Sequence, residues 1–139
     1  MDAEQFSIDI ILNRVDPNRL QDLQVSVSPF FEMIIPKELD LINASYSLPF
    51  CKPEDFDQCW ETIVNSLKVG GRFCGQFFRK NDAWATNPDL TIHPYEDVIA
   101  LFKNQFIIEY LQIEDGLLPS ADGSLKHWHT YHIIAKKII

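Results

Sequence analysis

The stretch DLINASYSLPFCKPEDF, residues 40–56, sets the expected fold of this chain. It begins inside LDLINAS (Leu39–Ser45), a short apolar run that is typical of a strand covered on both faces. A polar turn follows. Pro53, Glu54 and Asp55 then indicate the start of a helix, because proline suits the first helical position and acidic side chains suit the positive end of the helix dipole. In α/β proteins a small molecule often lies at such a junction.

The helix predicted after this turn is the clearest element in the sequence. Its apolar side chains recur at i, i+4, i+7, i+8 and i+11, so they form one stripe that faces a core. Gly70–Gly71 is expected to end the helix, since glycine readily adopts the left-handed conformation of a helix cap. The stripe consists of Phe56, Trp60, Ile63, Val64 and Leu67.

Strand and helix patterns alternate along the rest of the chain. IDIILNRV (8–15) suits either a helix or a strand. This alternation predicts an α/β fold, with a mixed, mostly parallel sheet, helices on its faces and an antiparallel C-terminal strand pair. The further elements expected are strands around Leu23–Ser28 and at Arg72–Phe78, a polar loop at 79–94, a helix within 93–105, a strand at 106–114, a loop at 115–124 and a final strand at 126–138.

Composition narrows the class of protein. A chain of 139 residues, 46% of them hydrophobic, is expected to form one domain with a real core. A net charge of −8 without any Lys/Arg run disfavours nucleic-acid binding. No apolar run approaches the ~20 residues of a membrane span, and the acidic start argues against a signal peptide. The three cysteines form no C-x-x-C, so ordinary buried or half-buried thiols in a reducing cytoplasm are expected.

The chain resembles, from Leu39 onward, the class I S-adenosylmethionine-dependent methyltransferases, which have a Rossmann-like fold. LDLINASYSLPFC (39–51) resembles the fourth strand of that family and the loop behind it. LKVGGRFCGQFF (67–78) is similar to its turn into the fifth strand, and the closing antiparallel pair, with KHWHTYHIIAKK (126–137), is similar to its last two strands. The likeness covers residues 39–139.

This resemblance implies S-adenosylmethionine as cofactor and methyl transfer to a small molecule as the ancestral activity. The cofactor loop after the fourth strand corresponds to Asn43, Ala44 and Ser45. Asp9 corresponds either to the acidic residue that contacts the ribose hydroxyls in the family or to a solvated residue of a helix or strand. Phe30 stands near the adenine position, where it either stacks on the cofactor or belongs to a core or an interface.

Two further residues are candidates for substrate binding. Trp84, in the polar loop, either stacks on a substrate or plugs the end of the sheet. His127 lies close to a segment that borders the acceptor pocket in the family, or is simply a polar position on the last strand. His127 and His129 share a face of that strand and His132 points to the other, so without an evident third ligand no metal site is expected. No catalytic residue is assigned, because methyl transfer depends mainly on positioning.

One motif of the family is missing. Its glycine-rich loop after the first strand holds the cofactor, since glycine lets the backbone approach a ligand and adopt positive φ. All five glycines of this chain lie at residue 70 or later. We therefore expect residues 1–139 to be a single truncated domain, with 1–38 as an N-terminal remnant and 39–139 as the C-terminal half. Cofactor binding by one chain is expected to be very weak or absent.

The missing segment also affects the sheet. In the family the strand order is 3-2-1-4-5-7-6, so strand four loses its neighbour when strand one is absent. An exposed edge is a template for pairing with another strand. The N-terminal segment, a separately encoded piece or a second copy of the chain would cover it, and a homodimer is expected. The alternative function is therefore a non-catalytic protein-interaction or homodimerisation module that uses this edge.

Overall fold

A computed structural model describes residues 5–139, which fall into two compact units. The first unit ends at Ile34 and contains helix α1 (Gln5–Arg14) and two short 3-10 helices, Pro17–Asp22 and Phe30–Glu32. The segment 8–15, whose pattern suited a helix or a strand, is helical as far as Arg14.

The strand predicted around Leu23–Ser28 is wrong. The chain there makes only an isolated bridge at Val27, and no strand forms. A strand needs a hydrogen-bonded neighbour for its backbone groups. Alternating polarity does not report whether such a neighbour is present, which is why the pattern was misleading here.

The second unit, Ile35–Ile139, contains a four-stranded sheet in the order β1-β2-β4-β3. β1 runs parallel to β2, and β4 runs antiparallel to both β2 and β3. The predicted α/β fold with an antiparallel C-terminal strand pair is confirmed. The elements are β1 (Leu39–Ala44), a 3-10 helix (Leu48–Phe50), α2 (Pro53–Ser66), β2 (Leu67–Phe78), α3 (Tyr95–Phe102), β3 (Phe106–Pro119) and β4 (Leu125–Lys137).

The core of the second unit lies between one face of the sheet and the helices α2 and α3. The ring of Trp60 in α2 lies 5.1 Å from that of Phe73 in β2 and 5.1 Å from that of Phe102 in α3, centre to centre. All five side chains of the predicted stripe are buried, which confirms the face of the helix. Burial of each such side chain stabilises the fold by about 1.5–3 kcal/mol.

The predicted end of that helix is wrong. α2 ends at Ser66, and Leu67 already begins β2. Gly70 has a φ of 87°, and a Cβ atom on Gly71 would lie 2.8 Å from the carbonyl oxygen of Leu39. The two glycines therefore form an irregularity inside β2, where the register with β1 shifts and the two backbones come close.

The loop predicted at 115–124 is also too long. β3 continues to Pro119 and pairs with β4, so that only the turn at 120–124 connects them. In this turn the carboxylate of Asp122 accepts hydrogen bonds from the hydroxyls of Ser120 and Ser124. These bonds, with a further one from the Ser124 amide, lower the pKa of Asp122 to about 2.

The prediction that the strand at Leu39–Ser45 is covered on both faces is wrong as well. β1 is an outer strand of the sheet, and three of its six residues are exposed, with Leu41 55% exposed. Only Ala44, at the end of the strand, is buried. The two helices of this unit pack on the same face of the sheet, where Trp60 of α2 and Phe102 of α3 both contact Phe73 of β2.

The thiols and the helices bear on two further expectations. Cys51 and Cys59 are buried and Cys74 is half-buried, which confirms the expected burial of the cysteines. In residues 5–139, no helix combines the length and the apolar character that crossing a bilayer requires.

Candidate functional site

Two loops begin at the same end of the sheet, because the strands that they follow, β1 and β2, are parallel. The first loop (45–52) follows β1, and the second loop (79–94) follows β2. Thr91 joins them, since its amide donates to the carbonyl oxygen of Pro49 at 3.0 Å and its hydroxyl donates to that of Cys51 at 2.5 Å. The two loops therefore form one continuous surface.

A buried ion pair holds the second loop against β4. Nζ of Lys126 lies 2.5 Å from Oδ1 of Asp82, and the two side chains are 4% and 0% exposed. Asp82 also accepts two backbone hydrogen bonds, from Trp84 N to Oδ1 at 3.0 Å and from His129 N to Oδ2 at 3.1 Å. The carboxylate thus regains in the protein the contacts that it loses with water, as a buried charge requires.

Three aromatic rings surround the same ammonium group. Nζ of Lys126 lies 3.6 Å from the ring centre of Trp128, 4.2 Å from that of Trp84 and 4.7 Å from that of Phe78. A desolvated cation–π contact of this kind is worth about 2 kcal/mol. Lys126 is therefore a fixed internal cation, and it holds Trp84 in place.

These rings belong to a larger set, which we call the aromatic cluster: Tyr46, Phe50, Phe78, Trp84 and Trp128. The ring of Tyr46 lies 5.4 Å from that of Trp128, and the ring of Phe50 lies 6.1 Å from that of Trp84, both edge to face. Aromatic pairs prefer this geometry. The two loops and the start of β4 thus build a single aromatic surface.

A cleft of about 380 Å³ opens beside the aromatic cluster. Phe50 and Trp84 form its aromatic wall and are 46% and 39% exposed. Its volume lies within the range of about 300–1,000 Å³ that is usual for small-molecule sites. The lining residues are Phe50, Ala83, Trp84, Thr86, Asn87 and Leu90.

The predicted cofactor loop lies at the end of β1. The hydroxyl of Ser45 donates to Oδ1 of Asn43 at 2.6 Å, and both residues are exposed, whereas Ala44 is buried. Tyr46 has a φ of 49°, a left-handed conformation that is uncommon for a residue other than glycine. The Tyr46 amide donates to Oε1 of Gln76 at 2.8 Å, so a side chain of β2 holds the turn.

A row of polar side chains continues from Gln76 across the sheet. Nε2 of Gln76 lies 3.4 Å from Nδ1 of His132, and Nε2 of His132 lies 3.3 Å from Oε2 of Glu114. Because the ionised carboxylate only accepts, the His132 tautomer with its proton on Nε2 satisfies both contacts. Burial and then the charge of Glu114 raise the pKa of the Tyr46 phenol, which is therefore protonated at neutral pH.

His127 and His129 share a neighbour on β3. Nε2 of His127 lies 2.7 Å from Oδ1 of Asp115, and Nε2 of His129 lies 3.6 Å from Oδ2 of the same carboxylate. The hydrogen bond from His127 lowers the pKa of Asp115, and burial lowers the pKa of His129. No three or more His, Cys, Asp or Glu side chains within residues 5–139 are grouped so as to hold a metal ion.

The predicted site residues lie in different places. Trp84 belongs to the aromatic cluster and lines the cleft, whereas His127 lies on the opposite face of β4 from the cluster. Asp9 and Phe30 belong to the first unit, where Asp9 is exposed and accepts a hydrogen bond from Gln5 at 2.9 Å, and Phe30 is half-buried. The cofactor roles assigned to Asp9, Phe30 and the Asn43 loop stay predictions.

No sequence motif indicated the ion pair at the centre of the cluster. Asp82 and Lys126 are far apart in the chain, and neither stands in a recognised motif. One signal was present, because the period of two along a strand places Lys126 and Trp128 on the same face of the last strand. The partner that this lysine needs was not identifiable from the pattern alone.

Solved structures share this fold, although no protein-family model and no curated protein matches the sequence. TehB from Haemophilus influenzae is 12% identical with a TM-score of 0.75, over 97% of this chain and 48% of that one. The N-methyltransferase NodS from Bradyrhizobium japonicum, solved with S-adenosyl-L-homocysteine, is 15% identical with a TM-score of 0.66, over 98% and 64%. The 1,6-didemethyltoxoflavin-N1-methyltransferase from Burkholderia thailandensis is 15% identical with a TM-score of 0.60, over 99% and 70%.

The chain therefore has part of a class I methyltransferase-like fold. Its sheet order β1-β2-β4-β3 corresponds to strands 4-5-7-6 of that fold. The chain spans about half the length of TehB and about two thirds of NodS. At these identities the likeness establishes the fold alone.

S-adenosylmethionine, which this fold implies, is only partly matched by the second unit. Asn43 and Ser45 present an amide and a hydroxyl at the end of a parallel strand, where α/β sheets bind ligands. Both side chains are exposed and bonded to each other, and neither lines the cleft. Weak cofactor binding by the unit Ile35–Ile139 therefore stays a prediction.

Proposed function

We propose that this chain is an S-adenosylmethionine-dependent methyltransferase-like protein whose second unit forms the acceptor side of the site. The reaction is methyl transfer to a small molecule, and one chain alone binds the cofactor weakly and has little or no activity. The observation that supports this proposal is the aromatic-walled cleft between the loops that follow two parallel strands. Three free thiols fit a reducing, cytoplasmic location.

The residues of the cleft perform the positioning that such a reaction needs. The cofactor, when bound, supplies the activated methyl group. Phe50 and Trp84 hold the acceptor and exclude water, and the buried pair of Asp82 and Lys126 keeps Trp84 in place. Accurate positioning accounts for much of the rate of such a transfer, so no acidic or basic group is required beside the acceptor.

Calorimetric titration with S-adenosylhomocysteine tests the cofactor part of this proposal. We expect saturable binding with a Kd of about 1 mM or weaker, because Asn43 and Ser45 form only one exposed wall. Asn43→Ala should weaken it further. Asn65→Ala, which removes an exposed amide from α2, should not.

Two results would contradict the cofactor part. A Kd below about 10 μM would mean that one chain binds the cofactor well. The absence of saturable binding at high concentrations of S-adenosylhomocysteine would mean that Asn43 and Ser45 do not belong to a cofactor site.

Homodimerisation through β1 is a second, non-catalytic candidate function. β1 is an outer strand with exposed side chains, among them Leu41. Asp40 is the one charged residue of β1, and it forms an ion pair with Lys68. Two copies of β1 therefore pair antiparallel without opposing like charges, in any register that does not place Asp40 opposite itself.

The other outer strand is less suited to pairing with its own copy. β3 carries three carboxylates and no cationic side chain, so any antiparallel register that places these positions opposite each other opposes like charges. The three are Glu109, Glu114 and Asp115.

Sedimentation equilibrium across the micromolar range tests this second candidate. The wild-type chain should dimerise, and Leu41→Lys should prevent it by placing repelling charges at the two-fold contact. Ile107→Lys on β3 is the matched control, since Ile107 is 56% exposed and Leu41 is 55% exposed. A monomer at every concentration, or equal effects of the two variants, would rule out dimerisation through β1.

A further inference from the structure

We infer that the cleft beside Trp84 selects planar, uncharged aromatic molecules that carry a hydrogen-bond acceptor. This inference rests on the proposed function in taking the cleft as the acceptor site, and it adds the chemical class of the acceptor. Three properties of the lining support it: the shape of the aromatic wall, the absence of charge among the lining residues and the polar groups of two side chains.

The wall selects for flat molecules. The rings of Phe50 and Trp84 lie 6.1 Å apart at 61°, and both are partly exposed beside the cleft. A flat aromatic ring packs edge to face or offset against such rings, whereas a puckered saturated ring of the same size makes fewer close contacts. The Lys126 ammonium, 4.2 Å from the centre of the Trp84 ring, holds this ring, so the wall is formed before a ligand arrives.

The charges near the cleft select against ionised ligands. All six lining residues are uncharged. Lys126 is neutralised by Asp82, and Lys52 lies 3.9 Å from Asp89 at the surface. An anionic ligand therefore meets no unpaired cation in the lining. A cationic ligand likewise meets no carboxylate in the lining that would compensate for its loss of water.

Two polar side chains of the lining offer hydrogen bonds to the ligand. Oδ1 of Asn87 already accepts a hydrogen bond from the Asp89 amide at 3.0 Å, so the Nδ2 group is the part of this amide that serves a ligand. Thr86, which is exposed, adds a hydroxyl. A donor at Asn87 matches a carbonyl, hydroxyl or ring-nitrogen acceptor on the aromatic molecule.

Three probes with the same fused bicyclic ring framework test this class. 2-Naphthol is planar and neutral at pH 7.5, 2-naphthoate is planar and anionic, and decahydro-2-naphthol is neutral and puckered. Binding is measured by ligand-observed NMR and calorimetry on the full chain without cofactor. We expect 2-naphthol to bind at least tenfold more tightly than either analogue. Equal affinity for all three, or preference for 2-naphthoate, would overturn the inference.

Variants connect this preference to the cleft. Trp84→Leu should weaken 2-naphthol binding at least fivefold, and Tyr110→Ala, which removes an exposed aromatic ring from β3, should not. Because Trp84→Leu also affects the Lys126 contacts, its folding is checked by circular dichroism. Thr86→Lys is a second variant that changes only an exposed position, and it should raise affinity for 2-naphthoate more than for 2-naphthol. No change in either variant would place the probe outside this cleft.

The probe titrations and the cofactor titration fail independently. Selective 2-naphthol binding without any saturable binding of S-adenosylhomocysteine would support the ligand class and reject the methyltransferase role. Saturable cofactor binding with no selectivity among the probes would leave that role standing and reject the ligand class.

Discussion

Lys126 and Asp82 form an ion pair in which both side chains are almost completely buried, with 2.5 Å between Nζ and Oδ1. Removal of one partner leaves the other as an uncompensated charge in a site closed to water. Lys52 and Asp89 form a different kind of pair, 3.9 Å apart and 54% and 71% exposed. The two pairs join the same kinds of residue, so they provide a matched comparison of buried and exposed charges.

Asp82→Asn should lower the free energy of unfolding by about 3–5 kcal/mol, because it strands the Lys126 ammonium. Asp89→Asn should lower it by less than about 1 kcal/mol, as expected for an exposed pair. Urea unfolding followed by circular dichroism measures both. Equal effects of the two variants would show that burial does not decide the strength of the Lys126 pair.

Gly71→Ala should destabilise the chain by about 1–3 kcal/mol, the usual cost of overpacking. The added Cβ would lie 2.8 Å from the carbonyl oxygen of Leu39 and 3.0 Å from that of Lys68, both of them backbone atoms. Gly116→Ala is the control, since a Cβ there meets no atom within 4 Å. It should change stability by less than about 0.5 kcal/mol. A tolerated Gly71→Ala would mean that β1 and β2 do not approach each other as described.

His93 should make the stability of the chain depend on pH. Its ring is buried, 4.4 Å from that of Phe56 and 5.5 Å from that of Phe77. Burial lowers the pKa of His93, although the charges of Asp97 and Asp57 act in the opposite direction. The unfolded chain therefore binds a proton at a higher pH than the folded chain does. Stability is greatest above pH ~6.5 and falls as the pH drops towards the folded pKa, by at most about 1.4 kcal/mol per pH unit.

His93→Phe tests this dependence. Urea unfolding at pH 8 and pH 5.5 should show a smaller loss of stability on acidification in the variant than in the wild type. Some loss should remain, because burial lowers the pKa of His129 as well. Identical losses in the two proteins would exclude His93 as the source.

Gln76→Ala should loosen the turn that follows β1. Oε1 of Gln76 accepts the hydrogen bond of the Tyr46 amide, and Tyr46 holds a left-handed conformation there. Loss of a bond worth about 1 kcal/mol should accelerate exchange of the Tyr46 amide hydrogen by about fivefold. NMR-detected hydrogen exchange measures this rate. The Arg79 amide, which donates to the carbonyl oxygen of His129, should be unaffected. Unchanged exchange at Tyr46 would show that Gln76 does not hold the turn.

Much of the fold was predictable because its signals are local. The stripe of α2, the acidic residues of its first turn and the alternation of strands with helices all lie within short segments, and each was confirmed. The errors occurred where a distant partner decides the outcome. β2 runs through Gly70–Gly71 because it pairs with β1 on both sides of them, at Leu67 and at Arg72. β3 extends to Pro119 because β4 lies beside it.

The candidate site was predictable only in part. Trp84 stood out as an aromatic residue in a polar loop, but Phe50, Lys126 and Trp128 gave no sign of lying beside it. Their contacts depend on the parallel pairing of β1 with β2 and on the return of β4 in the antiparallel direction. His127 lies on the other face of β4 from the aromatic cluster, and its role in substrate binding stays a prediction.

The sequence by itself determined the composition of the chain, the positions of α2 and α3 and the type of fold, since helix periodicity and strand alternation act over a few residues. The tertiary structure alone decided that an aspartate and a lysine from distant segments become a buried pair inside an aromatic cluster. The physical reason is desolvation: a charge enters a core only where a partner and hydrogen-bond donors are already in place, and the folded backbone sets those positions.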